Sequence, residues 1–240
     1  MAFPYTLEGP IGTRATLGLV VLQSDETIEH DFRRMFTDPD ISLYVTRVPS
    51  ALDVTTDTLA TMSAALPAAA GLLPTALSYD VVGYGCTSGT AVIGPDKIAQ
   101  QVKAGCAAAQ VTEPLSALVA ICVARNITRI AFLSPYIESV SQTLRDALNA
   151  RGVATPVFGS FDEGEETKVA KISQQSLFDA AMALGASDSV EAVFMSCTNL
   201  RTLDVMPRIE KALGKPVFSS NQVLAWHMAQ LAGVELTQAS

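Results

Sequence analysis

Two cysteines carry the chemistry that the sequence offers. Cys86 stands in Gly85-Cys86-Thr87-Ser88-Gly89, and Cys197 stands in Ser196-Cys197-Thr198-Asn199-Leu200, 111 positions later (197 − 86). Each follows a short apolar run, Val81-Val82-Gly83-Tyr84 or Ala192-Val193-Phe194-Met195, and each precedes a threonine and a polar turn. A thiolate is a strong nucleophile, and a competent base toward carbon once its pKa is lowered. Turn amides leading into a helix N-terminus lower it, and both cysteines are expected ahead of such a helix, where an anionic substrate is also favoured. The neighbouring Thr87, Ser88, Thr90, Thr198 and Asn199 have the hydroxyl and amide groups to bind a carboxylate. Two thiols facing across one cleft suit a reaction that takes a proton from one face of a small molecule and returns it to the other.

The elements that must position these groups follow from the apolar pattern. A short apolar run bounded by turn residues reads as a buried strand. Each cysteine therefore falls at a strand's C-terminal end, where open α/β sheets place their ligands. The same 111-residue offset relates Leu22, at the end of Leu19-Val20-Val21-Leu22, to Leu133, at the end of Ile130-Ala131-Phe132-Leu133. A repeated landmark with one offset indicates an internal duplication. Asp25 and Tyr136 share the offset, each in the loop after the first strand of its copy. Tyr136 is a hydrogen-bond donor for a substrate carboxylate or an acid, with packing at a strand end as the competing role. Asp25 is a helix N-cap or, facing substrate, a group that attracts an ammonium and repels a plain dicarboxylate.

The periodicity predicts strands over 14–22, 41–45, 79–84, 127–133, 153–158, 192–195 and 215–219. It predicts helices over 26–36, 55–76 with an interruption near Pro67, 95–109, 115–124, 139–150, 173–184, 204–213 and 222–231. Residues 1–12 read as an irregular tail, and 110–114 as a crossing from strand to helix. Alternating strands and helices mean parallel sheets. The expected lobes are 1–112 plus 220–240, and 113–219, with the terminal helix crossing back to complete the first. The acidic segment 161–167, with Asp162, Glu163, Glu165 and Glu166, reads as a solvated connection, and otherwise as a mobile lid.

Composition narrows the function. The 240 residues are 49% apolar and 17% charged, with a net charge of −8 and no basic stripe, which argues against a nucleic-acid partner. No stretch is long and apolar enough for a membrane span, and residues 1–16 do not resemble a signal peptide. Four cysteines without dense spacing fit free thiols in a reducing cytoplasm. No Cys-x-x-Cys pair occurs and only two histidines are present, so no metal site is expected. Cys106 and Cys122 read as packing residues, His30 and His227 as structural, and Arg201 as a surface residue rather than a carboxylate partner. Gly83, Gly85 and Gly89 do not make a dinucleotide fingerprint, and no phosphate-binding Gly-Lys-Ser/Thr loop is present.

The two cysteine loops, the Leu133-Ser134-Pro135-Tyr136 turn and the Leu22-Gln23-Ser24-Asp25-Glu26-Thr27 loop resemble the aspartate/glutamate/hydantoin racemase superfamily. The likeness is greatest to the branch of maleate cis-trans isomerases, arylmalonate decarboxylases and ectoine-utilisation racemase-like proteins. The resemblance implies two Rossmann-like (flavodoxin-like) lobes related by a pseudo-twofold axis, an active site between them, no cofactor, a small carboxylate substrate and a homodimer or higher homo-oligomer. It implies that Cys86 and Cys197 act as opposed acid and base, as in the superfamily's racemases, with Ser24, Asp25, Thr87, Ser88, Tyr136, Thr198 and Asn199 around the substrate. The alternatives it leaves are cis-trans isomerisation with Cys86 as nucleophile, arylmalonate-type decarboxylation, and a non-catalytic two-lobe binding protein. The decarboxylases keep only the second cysteine. Two departures bear on substrate: Asp25 stands where the maleate isomerases have asparagine, and Asn199 where amino-acid racemases usually have glutamate.

Overall fold

The first strand, β1 (Ala15–Leu22), is buried along its whole length because it lies inside a parallel sheet, between β2 (Ile41–Val48) and β3 (Tyr79–Gly85). A fourth strand, β4 (Ala108–Thr112), extends the sheet to the order β2-β1-β3-β4. The second sheet repeats that plan with β5 (Arg129–Ser134), β6 (Ala154–Ser160), β7 (Ala192–Met195) and β8 (Val217–Ser219) in the order β6-β5-β7-β8. The duplication read from the spacing is thus a duplication of topology: β1 corresponds to β5 and β3 to β7. This computed structural model describes residues 1–51 and 55–236, so the last residues of the 220–240 segment lie outside the described part.

The helices are α1 (Ile28–Met35), α2 (Thr56–Ala70), α3 (Thr87–Ile93), α4 (Pro95–Gly105), α5 (Pro114–Ala124), α6 (Glu138–Asn149), α7 (Glu166–Val169), α8 (Gln174–Gly185), α9 (Met206–Leu213) and α10 (Ser220–Ala232). No helix among the described residues is long and apolar enough to cross a membrane. Several expectations are corrected. Helix α2 runs unbroken through Pro67 and ends at Gly71 instead of reaching 76. Burial of Leu66, Ala69 and Ala70 in the core offsets the amide bond that a proline lacks. Residues 108–112 are a full strand, and Glu113 then caps α5, its carboxylate accepting from the amides of Leu115 and Ser116. The short helices α3 and α7 were not visible in the pattern, because one turn or two carry no readable period.

Two helices exchange sides. Helix α5 leaves the first sheet and packs through Leu115, Leu118 and Cys122 against Phe132, Phe194 and Phe218 of the second. Helix α10 leaves the second sheet and packs through Leu224, Ala225 and Met228 against Leu17, Leu19 and Phe32 of the first. Each buried Phe or Leu of these clusters contributes roughly 1.5–3 kcal/mol by leaving water. Gly83 permits the second docking: a side chain there would come within 2.5 Å of Met228 Sδ. The start of α10 is thereby fixed where the two sheets meet.

Candidate active site

Strand β3 delivers Cys86 and strand β7 delivers Cys197, each just past its C-terminal end and each only 4% exposed. Cys86 is the N-cap of α3, and its Sγ accepts from the Gly89 amide at 3.2 Å. Tyr84 precedes it by two residues, which on a strand means the same face. The Tyr84 hydroxyl lies beside the Cys86 thiol and donates to Met62 Sδ at 4.0 Å. Gly89 leaves room for this meeting, since a Cβ there would lie 2.7 Å from the hydroxyl and 2.8 Å from the sulfur.

Cys197 is held differently. It does not cap a helix, contrary to expectation: Thr198 and Asn199 form a turn, and α9 begins only at Met206. Its φ of 145° is in the region side chains avoid, at a cost of order 1–3 kcal/mol. The surroundings enforce it. The Cys197 amide donates to Ser220 Oγ at 3.0 Å, and the Asn199 amide donates to Cys197 Sγ at 3.3 Å. Thr87 Oγ1 donates to the same Ser220 hydroxyl at 2.7 Å, which joins the two cysteine loops through the first residue of α10. Asn221, next in α10, donates to the Thr198 carbonyl and to Asp31 Oδ2, each at 2.8 Å.

Tyr136 faces Cys197. Its hydroxyl lies 2.9 Å from the sulfur and donates to Glu166 Oε1 at 2.5 Å. Asn199 Nδ2 donates to the other oxygen of Glu166 at 2.9 Å, and its Oδ1 accepts from the Glu26 amide of the opposite lobe at 2.8 Å. Glu166 is 4% exposed. The acidic segment is therefore not simply a solvated connection: its last glutamate turns inward at the start of α7, while Glu163 and Glu165 pair with Lys168 outside. Cys197, Tyr136 and Glu166 form one hydrogen-bonded chain along which a proton can leave the thiol.

Asp25 serves the start of α1, the first of the two roles considered for it. Its Oδ1 accepts from the amides of Thr27 and Ile28, each at 2.8 Å, in the turn that leads into the helix. Its charge also reaches both cysteines and Glu166, raising the pKa of each. Thr198 Oγ1 points to the Gly85 carbonyl at 3.4 Å, Ser88 is buried at the first turn of α3, and Ser24 is half-buried with its hydroxyl 3.1 Å from Ser50 Oγ. The fold thus brings Cys86, Cys197, Tyr136, Asp25, Asn199, Thr87 and Thr198 together, and leaves Ser24 engaged with Ser50. Arg201 is exposed, His30 is exposed, His227 pairs with Thr112 at 2.7 Å, and Cys122 is buried in the α5 core. Cys106 is the C-cap of α4 rather than a residue within it.

Sequence reasoning missed four residues of this site: Tyr84, Glu166, Ser220 and Asn221. Tyr84 was reachable from the two-residue period of β3, and Ser220 and Asn221 from their place just after β8, at the same sheet edge as Cys197. Glu166 was hidden by three other acidic residues around it.

The thiols are not activated at rest. Burial pushes Cys86 up to about 12, with the nearby Glu166 and Asp25 adding to it, against the opposing pull of the Gly89 amide and Tyr84. Burial likewise raises Cys197 well above an ordinary thiol, helped by Glu166. This corrects the expectation of amide-lowered thiols: one amide at each sulfur does not offset complete removal from water. Burial raises Asp25 and Glu166 as well, and holds the Tyr84 and Tyr136 phenols protonated.

A family model described as arylmalonate decarboxylase matches residues 97–240. The chain belongs to the arylmalonate decarboxylase family. The arylmalonate decarboxylase of Bordetella bronchiseptica is 29% identical over 111 residues, a match that spans 46% of each chain and so about half of that relative's length. The maleate isomerase of Nocardia farcinica is 25% identical over 214 residues, 85% of this chain and 84% of that one. The fold of the family is shared with a Nocardia farcinica maleate cis-trans isomerase solved as a cysteine-to-serine variant with a covalently bound succinylcysteine intermediate (TM-score 0.83, 23% identity, 92% of this chain and 93% of that one). It is shared also with a liganded arylmalonate decarboxylase in which a glycine is replaced by cysteine and a cysteine by serine (TM-score 0.80, 21% identity, 91% and 93%).

A prediction arises at the edge of this site. Burial raises the Asp31 carboxyl from 3.8 to about 6. The folded chain then holds this proton more tightly than the unfolded one, so stability falls as pH rises from about 4 to about 6 and stays lower above. Asp31→Asn keeps an oxygen for Asn221 and removes the titration. Thermal melts of the variant and the native chain should diverge across that window, the variant gaining roughly 2–3 kcal/mol by neutral pH. A constant difference between the two from pH 4 to 7 would show that Asp31 titrates normally.

Proposed function

We propose that this protein is a cofactor-independent isomerase that racemises or epimerises a small carboxylate through Cys86 and Cys197. The observation that carries the reading is the pair of buried thiols at equivalent strand ends, each with a tyrosine hydroxyl at its sulfur. One thiolate removes the proton from the carbon next to the carboxylate, and the opposite thiol gives a proton to the other face. The carbon and its electron pair pass through an enediolate-like state, which the amides at the start of α3 and the Ser88 hydroxyl stabilise. Cys197 loses its proton along the Tyr136–Glu166 chain. Free thiols as the working groups suit a reducing compartment such as the cytoplasm.

The test is proton exchange at the alpha carbon, followed by NMR in deuterated buffer with a panel of amino and unsaturated carboxylates. The expected result is deuterium entering one or a few carboxylates together with inversion. A second reading is favoured by the similarity to a maleate isomerase along 84% of its length. In that reading, Cys86 adds to a carbon–carbon double bond, the resulting single bond rotates, and the sulfur leaves. Conversion of maleate to fumarate, without deuterium uptake into any amino acid, would replace the first reading with the second.

A further inference from the structure

The site holds two carboxyl groups, and among the described residues no cation is bonded to either. Asp25 and Glu166 both lie close enough to Cys86 and Cys197 to raise their pKa values. Glu166 has a donor on each oxygen, Tyr136 on one and Asn199 on the other. Asp25 does not. Its Oδ1 is bonded to two amides, whereas Oδ2 is fully buried and has no hydrogen-bond partner. The Thr198 hydroxyl lies near Asp25, but its geometry gives the proton to the Gly85 carbonyl. Among the described residues, no lysine, arginine or histidine bonds either carboxyl. Arg47, whose charge reaches Asp25, is bonded instead to the carbonyls of Leu22 and Asp25 and to the carboxylate of Glu29.

A buried carboxylate oxygen without a donor is costly, and in a site between two reactive groups it marks where a ligand's donor belongs. We propose that Asp25 Oδ2 receives an ammonium group of the substrate, and that Asp25 with Glu166 selects an amino-bearing carboxylate against a dicarboxylate. The inference rests on the reading that the cleft between the cysteines is the substrate site, and it names the substrate class of that site. Like charges set side by side in a buried site repel, so a second carboxylate beside Asp25 is rejected while an ammonium is drawn in. The loop built around Asp25 supports this: the bonds to the Thr27 and Ile28 amides fix the carboxyl so that one oxygen serves the fold and the other is left without a donor.

Isothermal titration of the native protein with 2-aminobutyrate, 4-aminobutyrate, succinate and maleate tests the proposal. Succinate and 4-aminobutyrate have four carbons each and differ in one terminal group. At least one amino acid is expected to bind about tenfold or more tightly than either diacid. Asp25→Asn, which keeps Oδ1 for the cap, should shift that ratio by about tenfold or more toward the diacids, and Glu166→Gln should shift it the same way. Diacids binding as well as both amino acids to the native protein would overturn the proposal, whatever the variants do. So would an unchanged ratio in Asp25→Asn that melts like the native chain. Alpha-proton exchange is measured separately: its absence with the charge preference intact would remove the isomerase reading and leave this one standing.

Discussion

Serine in place of either Cys86 or Cys197 should lower alpha-proton exchange and turnover by about a thousandfold or more, with little change in melting temperature. The chemical ground is the acidity of the group. A hydroxyl is far harder to ionise than a thiol, so it neither takes a proton from carbon nor attacks a double bond at a useful rate. The structural ground is that serine preserves the local bonds. At position 86 the hydroxyl accepts from the Gly89 amide as Sγ does, and at position 197 the backbone bond to Ser220 is untouched. Because the two thiols serve one transfer, the double variant should be little worse than either single one. Measurement of exchange and inversion separately makes the pair more informative. If Cys86→Ser abolishes all activity while Cys197→Ser retains most of it, sulfur addition at Cys86 replaces opposed acid–base transfer. Full activity in both would mean that neither thiol takes part.

The plan of this molecule was legible because its signals were repeated. Two apolar runs ending in Cys-Thr, two first strands ending in leucine and one shared offset point to the paired parallel sheets and put each thiol at the C-terminal edge of its own sheet. What could not be read were distances between distant segments and the balance of forces at a buried atom. Glu166 and Glu165 are neighbours in an acidic run, yet one hydrogen-bonds Tyr136 and Asn199 inside and the other pairs with Lys168 outside. Only the turn into α7 separates them. Ser220 reads as an ordinary helix start, and its role comes from the docking of α10 on the first sheet, a long-range event with no local signature. The thiol acidity was misjudged for the same kind of reason: the amides that lower it are local, and the burial that raises it depends on the whole fold.

That burial leads to the second large effect. At neutral pH, iodoacetamide should label Cys106 well before Cys86 or Cys197. Cys106 is partly exposed, whereas the other two are 4% exposed. Access alone slows the buried pair, and acidity adds to it. A thiol raised from 9 to about 12 has a thiolate fraction about a thousandfold below that of an unshifted thiol at any pH well below both values, and burial raises Cys106 as well. Mass spectrometry of peptides after timed labelling gives the rate at each cysteine. Labelling of Cys86 should stay slow at neutral pH and climb about tenfold per pH unit, without levelling off as the pH passes 9. A Cys86 rate at pH 7 equal to that of Cys106 would show an activated, accessible thiolate in the resting protein. The mechanistic consequence follows from the sign of the shift. A neutral resting thiol must lose its proton after or during substrate binding, so kcat/KM, which reports the free protein, should rise with pH through the neutral range. An ammonium placed beside the sulfurs favours the thiolate electrostatically. A substrate that carries one therefore activates the thiols as it binds, whereas a dicarboxylate would suppress them.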